Sequence, residues 1–187
     1  KMDLNIGPHK SLSNQQILGI MEPLNDVYHL INDNNCESSI LNRNGVGTIV
    51  HGEDGGFITW GNLSAMPVGD EWQFWNVRRN ADRLYRTIER LVAKIIDQSS
   101  QVKVIRNLNF ICNEYLKQEA NLEYLIGGPN YNKITFSKEL NNSTKAMNGE
   151  YWWDLTAEFP TPMQGINVQA HRAPDAFNEF FNQVGAA

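Results

Sequence analysis

Glu150 and Asp154 flank Trp152 and Trp153, and two carboxylates beside aromatic rings are what glycosidic-bond cleavage uses. Alternation along a strand places Glu150, Trp152 and Asp154 on one face and Tyr151, Trp153 and Leu155 on the other. A half-buried strand with packed aromatics explains both faces without catalysis, and pairing Asp154 with Glu158 instead does not improve the case. The four histidines, His9, His29, His51 and His171, stand at metal-ligand spacing neither to each other nor to Cys36 and Cys112, so no metal site is expected. No Gly-rich phosphate cradle, nucleophile elbow or dinucleotide signature occurs. The sequence therefore predicts no enzyme and no cofactor. Two glycosylation-type triplets, Asn62-Leu63-Ser64 and Asn142-Ser143-Thr144, are read as chance matches.

The remaining chemistry is charge. Arg79, Arg83, Arg86, Arg90 and Lys94 recur with helical rhythm opposite the apolar stripe Val77, Ala81, Leu84, Ile88, Leu91 and Ile95, so one helix carries a core face and a cationic face. Such a face is ordinarily just solvated. Here residues 78–94 hold six of the chain's 16 basic residues and only Asp82 and Glu89 of its 21 acidic ones. A concentration of cations on an acidic protein of net charge −5 predicts contact with an acidic surface. Charge reversal at Arg83 and Arg86 is expected to impair assembly and leave folding intact. The overall negative charge argues against nucleic acid as a partner, and no run of about 18 apolar residues predicts a membrane span.

The length suits one domain with a real core. The start at Lys1 without Met, and without a signal-peptide pattern, reads as a piece of something longer. Cys36 and Cys112 read as two free thiols of a reducing cytoplasm.

The elements that must hold the cationic helix follow from pattern. Residues 1–14 are expected to be an extended arm, and Ile17, Leu18 and Ile20 a short strand or buried extended piece. Ser38–Asn44 reads as a helical turn ended by Asn44-Gly45. Val46–His51 and Gly56–Gly61 form a hairpin about Gly52-Glu53-Asp54-Gly55. The long helix is predicted over 75–97. Val102–Ile105 reads as a short β-branched stretch, and Asn107 as the N-cap of a second helix over about 107–121 with the stripe Leu108, Ile111, Tyr115 and Leu122. Phe110 and Trp60 are expected in the core. Lys133–Lys138, Glu150–Phe159 and Gly165–Ala173 read as strands, and 174–187 as a C-terminal extension in which Phe177, Phe180, Phe181 and Val184 make a helical apolar face. The predicted class is α+β, two packed helices against a small mixed β-sheet in a single domain, 1–187, with extended terminal segments.

Several local patterns resemble the C-terminal part of the contractile-tail sheath protein of bacteriophages, whose relatives sheathe other contractile injection machines. Leu41-Asn42, Gly45-Val46 and Thr48-Ile49 are similar to one of its motifs, Gly56–Asn62 (GFITWGN) to a second, and Phe74–Arg79 (FWNVRR) to the start of its long helix. Asn141-Asn142-Ser143, Gly149, and Pro160, Pro162 and Ile166 follow in the family's order, so the likeness covers roughly residues 15–173. Asn62-Leu63-Ser64 departs from the family's Asn-Arg-Thr, Gly47 stands where Asn is common, and Ser143 replaces Thr. The resemblance implies a structural subunit that polymerises helically with copies of itself around an inner tail tube, meets a baseplate, and contracts to drive the tube through an envelope; the acidic surface met by Arg79, Arg83, Arg86, Arg90 and Lys94 is then either that tube or the adjacent subunit. It implies a virion tail assembled in a host bacterial cytoplasm. It also implies that terminal strands are lent to neighbouring subunits. The candidate is Gly165–Ala173, where Ile166, Val168 and Ala170 share one face and Arg172 continues it. The competing reading is a carbohydrate- or peptide-binding module using Trp60, Trp72, Trp75, Trp152 and Trp153 as exposed platforms.

Overall fold

The computed structural model describes residues 7–164 apart from Asn32 and Pro129. The expected strand Gly165–Ala173, with Ile166, Val168, Ala170 and Arg172, and the Phe177–Val184 segment lie outside the described residues. Along the chain come β1 (Gln16–Ile17), α1 (Glu37–Arg43), β2 (Thr48–His51), β3 (Phe57–Trp60), α2 (Trp75–Ala93), α3 (Val102–Asn121), β4 (Lys133–Phe136), α4 (Ser143–Met147) and β5 (Trp153–Thr156).

α2 is the predicted cationic helix, and its stripe faces inward. Val77, Ala81, Leu84 and Ile88 are all buried, while Leu91 and Ile95 pack partly against the same core. α3 starts five residues before Asn107, with Gln101 as its N-cap and no side-chain cap. Val102–Ile105 is thus helix rather than a β-branched connector, since the helix propensity of Val and Ile is only modestly unfavourable. Ile105 is half-buried and continues the face made by Leu108, Cys112, Leu116 and Glu119. The buried stripe of α3 is therefore displaced from the expected one: Ile111 and Leu122 are exposed, and Phe110 is 64% exposed rather than in the core.

The core lies between α2, α3 and the strands that follow them. Leu84, Leu108 and Leu116 pack with Leu125, Ile134 and Phe159, flanked by Trp153 and Leu155. Side-chain amides clip the loops to this core. Asn113 donates to the Ile134 carbonyl at 2.9 Å and accepts from the Ile134 N–H at 3.0 Å, which ties β4 to α3. Asn132 donates to the Ile126 carbonyl at 2.8 Å and accepts from Glu158 N–H at 2.9 Å.

The expected α+β class and packed helix pair are present. The strands fall into two antiparallel sheets, β1-β3-β2 and β4-β5, rather than joining in one mixed sheet. A five-residue connection between β2 and β3 permits only antiparallel pairing, with Ile49 opposite Thr59. β4 and β5 pair with Ile134 opposite Leu155, across a connection that carries only the short α4.

Candidate assembly interface

The N-terminus of α2 is set by a buried junction. Asn62 donates to Asn76 Oδ1 at 2.8 Å, and Asn76 donates to the carbonyls of His9 at 2.8 Å and Pro160 at 3.1 Å. Four segments far apart in sequence meet at these two amides. Both residues are nearly inaccessible, so Asn62 of the glycosylation-type triplet is a structural clip. Asn42 Oδ1 accepts from Asn62 N–H at 3.2 Å, and Gly61 makes the approach possible: with φ at +111°, a Cβ there would lie 2.9 Å from Asn42 Oδ1. Gly45, φ +76°, lies against the Ser64 backbone, where a Cβ would sit 2.6 Å from the carbonyl oxygen. Hence Asn42, Gly61, Asn62 and Asn76, which belong to motifs that carried the resemblance, meet at one hub, with Gly45 packed on the neighbouring Ser64. Sequence patterns located them, but spacing alone did not reveal their shared role.

Arg79, Arg83, Arg86 and Arg90 line one groove along α2, beginning at Trp75. The structure divides the labour among the five predicted cations. Arg79 donates to the carbonyls of Pro8 at 3.2 Å and Lys10 at 3.0 Å. Arg83 pairs with Glu119 through both carboxylate oxygens and lies 5.1 Å from the centre of the Tyr124 ring. These two hold the chain together. Arg86, Arg90 and Lys94 are exposed and form no ion pair among the described residues. Arg78 lies beside them, paired with Asp82 at 3.0 Å and stacked over Trp72. The outward field thus comes chiefly from the C-terminal half of the helix.

Trp75, 52% exposed, also borders a second feature. Leu12, Ile49, Thr59 and Trp60 make an apolar recess beside it. The recess adjoins β2, which among the described residues is paired on one side only, with β3. A strand edge next to an apolar recess suits an added strand.

The other candidates look different in three dimensions. Glu150 and Asp154 are exposed, and Trp153 and Leu155 point to the core, in the expected alternation. Trp153 donates to Asn109 Oδ1 at 2.7 Å. Trp152 is half exposed with Lys145 Nζ 5.0 Å over its ring. Trp75 and Trp152 are thus the exposed tryptophans, far apart in sequence, whereas Trp60, Trp72 and Trp153 are partly buried. Among the described residues no group of three or more His, Cys, Asp or Glu could hold a metal. Cys36 and Cys112 are free and buried, and no described helix is long and apolar enough to cross a membrane.

Comparison of the whole fold with solved structures is decisive about its type. The chain matches a chain of the anti-feeding prophage (AFP) helical sheath in its contracted state with a TM-score of 0.77, at 18% identity over 92% of its length. This is the fold of a contractile sheath subunit. A chain of the PVC sheath complex, from an extracellular contractile injection system in the contracted state, matches with a TM-score of 0.79 at 17% identity over 94%. A chain of the six-fold symmetrised AFP baseplate structure matches with a TM-score of 0.79 at 18% identity over 92%. The chain spans about half the length of these, 47% of the AFP chains and 49% of the PVC chain. No family's sequence profile matches it, and no curated protein sequence does. At this identity the sheath likeness is one of fold.

Proposed function

We propose that this chain is the core of a structural subunit of a contractile tail sheath, polymerising helically around an inner tube and contracting to drive that tube through a target envelope. The observation that carries the reading is the fold match of 92–94% of the chain to about half the length of the sheath chains, joined to a helix that keeps Arg86, Arg90 and Lys94 exposed. Work in such a machine comes from conformational energy spread over many interfaces, which asks for neither catalysis nor cofactor. The exposed trio faces acidic side chains of the inner tube. One exposed ion pair contributes only about 0.2–1 kcal/mol, but a helical lattice repeats it in every subunit, and the sum falls steeply with salt. The edge of β2 with its apolar recess receives a strand from a neighbouring copy. Ile166, Val168, Ala170 and Arg172 belong to the segment lent in the same way. Backbone pairing of this kind persists while side-chain contacts between subunits change. The baseplate is the further partner, and the machine is a phage tail or its relative, assembled in the bacterial cytoplasm.

The test is charge reversal in the full-length protein. Arg86→Glu with Arg90→Glu leaves the subunit folded and abolishes sheath formation around tubes, as seen by electron microscopy of co-expressed proteins. Normal sheathed tubes from that variant at low and high salt would overturn the assignment of the tube-facing surface.

A further inference from the structure

The segment before β1 is held on α2 by an arrangement that suits a switch. Gly7 and Pro8 are buried, and Gly7 adopts φ +92° so that the chain curls over its own histidine. A Cβ at Gly7 would lie 2.9 Å from His9 Cε1. The His9 ring stacks on Tyr124 with centroids 5.0 Å apart and planes 29° from parallel. Its Nδ1 is buried with no hydrogen-bond partner among the described residues. The carbonyls on either side of the ring, and its own, are gripped from α2: Pro8 and Lys10 by Arg79, and His9 by Asn76. A few residues on, the chain changes partner. Ser13 Oγ accepts from Gly61 N–H at 3.0 Å, and Asn14 N–H donates to the Thr59 carbonyl. Residues 7–10 therefore rest on α2 and the hub, while 13–17 belong to the β3 sheet.

We propose that residues 7–10 form a latch, docked on α2 while His9 is neutral and released when His9 is protonated. The charges that act on the ring are those of Lys10, Arg79, Arg83 and Glu123. Lys10 lies on its own segment, and Arg79 and Arg83 on α2. Glu119 on α3 is engaged with Arg83, and Glu123 stands in the loop that carries Tyr124. A proton on His9 adds a cation among three others and puts a charged, unpartnered N–H in a buried position. Glu123 opposes this and does not cancel it. Burial is the first cause that lowers the His9 pKa below its ordinary 6.5, with Lys10, Arg79 and Arg83 adding to it. Because the docked state binds the proton more weakly than the released one, docking is complete above 6.5 and weakens as pH falls through the docked-state pKa. Release frees the Pro8, His9 and Lys10 carbonyls from Arg79 and Asn76 of α2, the helix that bears Arg86 and Arg90. The proposal rests on the geometry about His9 and stands whether or not α2 faces a tube.

The experiment is a pH titration of the isotopically labelled 187-residue chain by nuclear magnetic resonance. It follows His9 Cε1–H together with the amides of Gly7, His9 and Lys10. The expected result is a His9 midpoint below 6.5, with all three amides moving toward unstructured values on the same midpoint while those of Cys112 and Leu116 stay fixed. In His9→Phe, which retains a stackable ring and cannot titrate, the Gly7 and Lys10 amides become independent of pH in this range. In His9→Lys they are released at neutral pH. A midpoint at or above 6.5, amides that ignore the titration, or the same pH response in His9→Phe would overturn the proposal.

Discussion

Replacing Arg83 by Met separates the two roles that the structure assigns to the cationic face. Glu119 is 5% exposed and its carboxylate is met by both terminal nitrogens of Arg83, whose side chain keeps 30% of its accessible surface. Removing one member of a fully buried ion pair costs ~3–5 kcal/mol, because the other charge is stranded. Partial solvent access to Arg83 lowers this to about 2–4 kcal/mol. For a chain of this size each kcal/mol moves the melting temperature by about 2–4 °C, so Tm falls by about 4–16 °C. Arg86→Met, on the same helix face but without an ion-pair partner among the described residues, changes stability by less than about 0.5 kcal/mol. Urea unfolding followed by far-ultraviolet circular dichroism measures both. Adding Glu119→Gln to Arg83→Met removes the stranded charge and recovers part of the loss, and the double-mutant cycle separates the pair from the stacking of Arg83 on Tyr124. Equal costs for Arg83→Met and Arg86→Met would refute the division of labour.

Three further substitutions probe the scaffold, each read by the same unfolding experiment. Leu116→Ala costs about 2–5 kcal/mol, whereas Ile111→Ala on the neighbouring face of α3 costs less than about 1 kcal/mol; the reverse order would restore the stripe expected from the sequence. Gly45→Ala combines positive φ with a clash against Ser64 and destabilises by about 1–3 kcal/mol, an effect refuted if the variant melts with its parent. Asn113→Ala breaks two hydrogen bonds to Ile134, worth about 1–3 kcal/mol together, and increases hydrogen exchange in β4 before it does so in α2; uniform exchange would argue against a local clip.

What could be read from the sequence was whatever depended on local period and turn chemistry. The α2 stripe, the β2–β3 hairpin and its Asp-Gly turn, α1 ending at Asn44-Gly45, and the alternation at Trp152–Leu155 all follow from neighbours in the chain, and all are found. The α3 stripe was misplaced because Ile111 and Leu122 are as apolar as Leu108, whereas Cys112 and Glu119, which are buried, lack an obvious apolar signature. Glu119 is buried only because Arg83, thirty-six positions earlier, supplies its counter-charge. The same long-range pairing turned two of the five cations inward, which the helical rhythm of α2 cannot distinguish. It also corrects the expectation that reversing Arg83 spares folding: Arg83→Glu sets a second carboxylate against a buried one. The amide hub of Asn62 and Asn76 was visible only as motif letters, since the carbonyls it binds, His9 and Pro160, come from distant ends of the described chain.

The most direct measurement is a cryo-electron microscopy helical reconstruction of the full-length protein assembled with its tube. The fold and the exposed trio predict that every subunit turns the α2 groove toward the bore, with Arg86, Arg90 and Lys94 at ion-pair distance from acidic side chains of the tube and a neighbour's strand beside β2. A lattice with α2 facing outward, or a full-length protein that stays monomeric in the presence of tube, would contradict it.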